Sequence, residues 1–199
     1  MAIAAAALRA ATPEEYRAYD RADAYKSEYV GGCIRPMPPV NLAHNLITGN
    51  IAAHLHACTR RGPCEVYASR MRVKVTATGA YLYPDVTGQC AGPVLEPDHD
   101  ADSLLNPALI VEVLSPATEA YDRGEKFAQY RRLPSLQEYV LVARDRVYVE
   151  HYARRDRGWL LTEVHDLDAT LEMPAVGCAL PLREVYDGVA PFAAEPPAR

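Results

Sequence analysis

Three short stretches carry residue types suited to one chemistry. Tyr83-Pro84-Asp85 places an acid at the end of an apolar run. Leu109-Ile110-Val111-Glu112-Val113-Leu114-Ser115 places a Glu inside the next one, and Asp122-Arg123-Gly124-Glu125-Lys126 supplies a Lys on a helix-like stretch. Two acids and a Lys brought to one point would form a divalent-cation site with a positive charge beside it. That is equipment for hydrolysing a phosphodiester. Two carboxylates about 4 Å apart repel by roughly 1 kcal/mol in water and about 4 kcal/mol at a protein-like dielectric, and a divalent cation reverses that cost. Oxygen ligands favour Mg2+ or Mn2+ over zinc.

Such a site needs elements to carry it. Residues 108–114 are apolar apart from Glu112, the pattern of a central strand covered on both faces. A charge there is costly unless paired or metal-bound, which makes Glu112 the least ordinary residue of the chain. Ser115-Pro116 breaks that strand, and a helix is expected from 117 or 118 to 132, with Asp122, Lys126 and Tyr130 spaced four apart along it. A strand is expected over 81–86 with Asp85 at its end, and an extended stretch over 64–75. Upstream, Thr12-Pro13-Glu14-Glu15 is a capping box opening a helix to about Ala22. Residues 26–30 and 33–37 flank Gly31-Gly32 as a hairpin. Residues 41–61 read as a long helix with Leu42, Leu46, Ile47, Ile51, Leu55 and Cys58 on its buried stripe, stopped by Gly62-Pro63. Downstream, strands are expected over 138–143, 146–152 and 158–164, with short ones near Thr170 and Cys178 and a last short helix over 180–186. His44, early on the long helix, reads as a packing residue in preference to a general base.

Bulk properties narrow the classes. The chain has 199 residues, 49% of them hydrophobic, which suits one domain with a real core. That domain is expected over 12–186, with flexible ends at 1–11 and 193–199. No apolar run approaches the roughly 18 residues of a membrane span. The net charge of −5 argues against a protein that coats nucleic acid by charge alone. Lys occurs only at 26, 74 and 126. The five Cys include no C-x-x-C pair and read as reduced thiols of a cytoplasmic protein. His54, His56 and Cys58 alternate along the helix and point different ways, a poor zinc set. Asp98 to Ser103 resembles the start of a calcium loop but lacks its Gly and its final Glu, and reads as solvated.

The order helix, hairpin with Glu28, long helix, strand-Pro84-Asp85, Glu112-Val113-Leu114-Ser115-Pro116, helix with Asp122 and Lys126, then Glu138-Tyr139-Val140-Leu141-Val142 resembles the PD-(D/E)XK nucleases. More closely it resembles the restriction-endonuclease family named Uma-two, over roughly 12–186. That superfamily usually carries its Lys two residues after the Glu; here that position is Leu114, and Lys126 on the following helix is the replacement. The resemblance implies an α+β or α/β restriction-endonuclease-like fold, a mixed central sheet flanked by helices in an αβββαβ-type core. It implies Asp85, Glu112 and the Val113 carbonyl as metal ligands, Lys126 as the cation that polarises water and balances transition-state charge, and Glu28 as a further metal or water ligand. It implies Mg2+ or Mn2+ as cofactor, DNA as substrate and a homodimer. Ser115, Gln129 and Tyr130 could lie nearby but are not selected as site residues, and Arg60, Arg61, Arg70, Arg72, Arg131 and Arg132 are candidates for flanking phosphates, with ordinary surface charge as the alternative. Removing Asp85, Glu112 or Lys126 is expected to cost several powers of ten in cleavage while leaving the fold intact. The alternative is a nuclease-like module that binds nucleic acid or a protein partner without cutting.

Overall fold

A computed structural model of the chain describes residues 8–23, 25–68, 71–96 and 102–189. In chain order the first half holds β1 (Arg9–Ala10), α1 (Pro13–Ala22), β2 (Ser27–Val30), β3 (Cys33–Pro36), α2 (Leu42–Thr59), β4 (Glu65–Ala68), β5 (Arg72–Val75), β6 (Ala80–Leu82), β7 (Val86–Gln89), β8 (Leu95–Glu96) and β9 (Ser103–Leu104). The second half holds β10 (Leu109–Leu114), α3 (Glu119–Tyr121), a π-helical turn (Asp122–Lys126), α4 (Phe127–Tyr130), β11 (Glu138–Ala143), β12 (Val149–Arg155), β13 (Gly158–Val164), β14 (Thr170–Met173), β15 (Cys178–Pro181) and α5 (Leu182–Val185).

The fold is mixed α and β, and its strands divide between two large sheets. One runs β13-β12-β11-β10-β7-β4 and the other β1-β3-β2-β6-β5-β9-β8, with β14-β15 as a separate hairpin. β10 lies inside the first, parallel to β11 and antiparallel to β7, and all six of its residues are buried. Its alternation separates two cores. Leu109, Val111 and Val113 pack with Ile47, Ile51 and Leu55 of α2. Ile110 and Leu114 pack with Phe127, Tyr130 and the short strands β5 and β6 of the second sheet. Glu112 shares the parity of Ile110 and Leu114, so its carboxylate enters the space between the sheets.

The capping box is present: Glu15 donates its N–H to Thr12 Oγ1 at 3.2 Å, and Thr12 donates its N–H to Glu15 Oε2 at 2.7 Å. Three of the differences from the sequence reading bear on the site. The expected strand over 64–75 is two strands in different sheets, β4 beside β7 and β5 beside β6 and β9. The expected strand over 81–86 breaks at Tyr83-Pro84-Asp85, so Asp85 precedes β7 instead of ending β6. Pro84 has no N–H to give a ladder, and the Tyr83 N–H goes to Glu28. The helix expected up to 132 is two short α-helical pieces around the π turn. On α2 the buried stripe is rotated: Leu42 is 75% exposed, while His44 is buried with Ile47, Thr48, Ile51 and Leu55.

The cysteines overturn the expectation of reduced thiols. Cys58 on α2 is bonded to Cys178 on β15, and Cys64 to Cys90, leaving Cys33 as the free thiol among the described residues. The pairing is tertiary: β14-β15 packs against α2, and β4 pairs with β7, which brings each pair together from 120 and 26 residues apart. Thiol titration of the unfolded, unreduced protein is expected to find one thiol, and five after reduction. Reduction is expected to lower stability by about 2–4 kcal/mol for a bond of this kind, read as a drop in urea midpoint; five thiols without reductant would contradict the pairing.

Most of 98–103, most of the two chain ends, and Arg70 lie outside the described residues. No described helix is long and apolar enough to cross a membrane.

Candidate active site

Three elements bring four charged side chains to one buried point. Glu28 comes from β2, Glu112 from β10, and Asp122 and Lys126 from the π turn; each residue is 2–3% exposed. A π turn carries an extra residue per turn and is a common device at functional sites; here both its ends, Asp122 and Lys126, face inward. The Lys126 ammonium lies 2.8 Å from Glu112 Oε1, 3.0 Å from Glu28 Oε1 and 3.8 Å from Asp122 Oδ1.

Hydrogen bonds fix each carboxylate. Tyr130 donates its hydroxyl to Glu112 Oε1 at 3.0 Å. Glu28 Oε1 accepts the Tyr83 N–H at 3.1 Å, and its Oε2 accepts the Tyr121 hydroxyl at 2.9 Å. Tyr139 donates to the Asp122 carbonyl at 3.0 Å, which ties the π turn to β11. Asp85 is the edge of the cluster. β7 pairs with β10 only as far as Val86 beside Val111. Beyond that point the Asp85 carboxylate replaces a strand partner: its Oδ2 accepts the Val113 N–H at 2.7 Å and lies 3.2 Å from His44 Nε2.

The charges do not balance within the cluster. Glu28, Glu112 and Asp122 share one ammonium, and Asp85 adds a further acid that acts on Glu112. Burial pushes Glu112 well above the usual carboxylate range; Lys126 opposes that shift, and the neighbouring acids add to it. Asp122 is raised for the same leading reason. Burial alone would lower Lys126, but Glu112, Glu28 and Asp122 carry it well above the ordinary lysine value, so the ammonium stays charged. Burial also raises the Tyr130 and Tyr139 hydroxyls, which remain proton donors.

The sequence-selected residues thus fare differently. Glu28, Glu112 and Lys126 are in direct contact, and Asp85 joins through the residue next to Glu112. Tyr130 belongs to the cluster, but Gln129 turns away to Thr78, and Ser115 bonds Thr118. Arg72 is not a phosphate-facing cation: it is 1% exposed and paired with Asp20 at 3.0 Å. Arg60 and Arg61 follow the far end of α2, sixteen or more residues from His44 and so about 24 Å along the helix. His54 pairs with Glu184 and lies 2.8 Å from the Ala179 carbonyl, while Cys58 is disulfide-bonded, so the zinc set does not assemble. Asp122, Tyr121 and His44 were not selected as site residues. Two polar residues four apart on one helix, Asp122 and Lys126, were the available signal for the first.

The donor set suits a hard cation in kind. Among the described residues no three Asp, Glu, His or Cys side chains form a ready metal cage. Two carboxylates and a main-chain carbonyl do not require one. No hydrogen bond or ion pair among the described residues engages Asp85 Oδ1 or Glu112 Oε2. The buried excess of negative charge favours a cation over an anion.

A mixed sheet with an acid before one strand, an acid within the next and a lysine from the following helix defines a restriction-endonuclease-like fold. Residues 13–183 match the family Uma-two, described as "Putative restriction endonuclease", and the chain belongs to that family. Two uncharacterized proteins of Synechocystis are similar in sequence. One is 34% identical over 182 residues, covering 90% of this chain and 93% of its own length. The other is 35% identical over 162 residues, covering 81% and 91%. A crystal structure from Anabaena variabilis, titled a "putative nuclease" of a domain family of unknown function, superposes with a TM-score of 0.70 over 84% of this chain and 93% of that one. At 15% identity it is similar in fold alone.

Proposed function

We propose that the chain is a metal-dependent endonuclease that hydrolyses phosphodiester bonds of DNA. The observation that carries this reading is the buried contact of Lys126 with both Glu112 and Glu28, beside an Asp85 tied to Val113. In it Asp85, Glu112 and the Val113 carbonyl hold Mg2+ or Mn2+, which supplies Lewis acidity toward a phosphate oxygen and a bound water. Lys126 places positive charge where the transition state gathers negative charge. Glu28 holds the Lys126 ammonium in place and orients water through its carboxylate. Tyr130 and Tyr121 fix the rotamers of Glu112 and Glu28, so the groups need little rearrangement during reaction. Action as a homodimer belongs to the same reading, since two-fold pairing of sites suits the cutting of both strands of a duplex.

A second reading, a nuclease-like module that binds without cutting, is favoured by one observation. Lys126 is already engaged by three carboxylates, so its ammonium is not free to meet a substrate phosphate without rearrangement. Incubation with supercoiled plasmid DNA and Mn2+ separates the two. Nicking and linearisation that chelator abolishes, absent from Glu112→Ala, support the nuclease. Saturable DNA binding with no cut strand supports the module.

A further inference from the structure

His44 sits in the first turn of α2, where Asn41 caps the helix by accepting the His44 N–H at 3.0 Å. Its imidazole is buried, and its Nε2 lies 3.2 Å from Asp85 Oδ2, the same oxygen that accepts the Val113 N–H at 2.7 Å. On the other side of the ring, Nδ1 lies 3.5 Å from Thr48 Oγ1. A second fact sets His44 apart from a packing residue. The rotation of α2 that buries this imidazole leaves Leu42 exposed two residues earlier, and burying a polar ring while exposing a leucine is unfavourable unless the ring has a partner.

We propose that His44 is a positioning residue for Asp85, holding its carboxylate so that Oδ1 is presented as a metal ligand. The proposal rests on the metal-site reading above. The Asp85 carboxylate can only accept, so the ring donates from Nε2 to Oδ2, and the Thr48 hydroxyl, able to give or take a proton, is placed beside Nδ1. The two donors on Oδ2 come from different layers, the Val113 amide from β10 and the imidazole from α2. Rotation of the carboxylate would break both bonds at once. Partners behind a metal-binding carboxylate act through this kind of orientation, and their loss weakens metal binding by about 10–100-fold.

The test is Mn2+ titration by calorimetry on the full chain, comparing the parent with His44→Ala, His44→Gln and Asp85→Asn, with thermal melting of each. The Gln side chain can donate from nearly the same place, so His44→Gln is expected to keep Mn2+ affinity within about threefold of the parent, while His44→Ala loses about 10–100-fold. His44→Leu, which fills the volume without a donor, replaces His44→Ala if that variant melts below the assay temperature. Mn2+ binding by His44→Ala or His44→Leu as tight as the parent overturns the proposal, as does a Gln variant as weak as Ala. Loss of binding in Asp85→Asn with no change in His44→Ala would refute the positioning role and keep the metal site. A parent that binds no Mn2+ would refute both.

Discussion

Glu112→Gln is expected to reduce Mn2+-dependent plasmid cleavage by about 10³-fold, the scale seen when one preorganised charge-stabilising group is removed. The substitution keeps the shape of the side chain. Tyr130 can still donate to the amide oxygen, and Lys126 keeps Glu28 and Asp122 as partners. The fold therefore survives, and what is lost is one negative charge and one hard anionic ligand in a site 3% exposed. Initial rates of strand nicking at saturating Mn2+ measure the effect. Cleavage by Glu112→Gln at the parent rate would remove Glu112 from the chemistry.

Lys126→Met is expected to behave differently, because the lysine holds the cluster together as well as serving the reaction. Removing it leaves Glu28, Glu112 and Asp122 buried without the cation they share. Breaking a buried ion pair from one side costs about 3–5 kcal/mol. The penalty depends on pH with a definite sign. Burial already holds Glu112 and Asp122 above their ordinary values, and loss of the ammonium raises them further. An acid whose folded pKa lies above its unfolded one supports the fold while protonated, and that support disappears as pH rises through the folded pKa. The deficit of Lys126→Met relative to the parent should therefore be small near the ordinary carboxylate pKa of about 4 and grow as pH rises above it. Urea unfolding of both proteins across that range measures it. Added Mn2+ should return part of the lost stability to the variant by supplying the missing positive charge. A deficit that does not vary with pH would contradict the picture of unpaired buried acids.

How much of this was legible depends on whether a residue violated its local pattern. Glu112 stood out because it interrupts a strand buried on both faces, and Lys126 because a helix followed that strand at a usable distance. Glu28 was selected through the resemblance, and it lies within the cluster in contact with Lys126. His44 gave no such signal. A polar residue early on an amphipathic helix is ordinary, and only the rotation of α2, set by its packing on β10, turns it toward Asp85. The π turn was also hidden, since nothing in Asp122 to Lys126 forbids a regular helix. The split of 64–75 between two sheets was illegible for a similar reason: both halves have strand composition, and the choice of partner is tertiary. Arg72 was taken for a phosphate-facing candidate because its partners, Asp20 and Ser103, lie 52 and 31 residues away. The cysteine pairs were illegible because their spacing of 120 and 26 residues matches no local rule.

Anomalous diffraction from crystals grown with Mn2+ addresses the whole scheme at its source. A strong peak bridged by one oxygen of Asp85 and one of Glu112, capped by the Val113 carbonyl and adjacent to Lys126, is the predicted outcome. Full-occupancy Mn2+ bound elsewhere, with Lys126 still seated on Glu112 and no scatterer between the two acids, would contradict it.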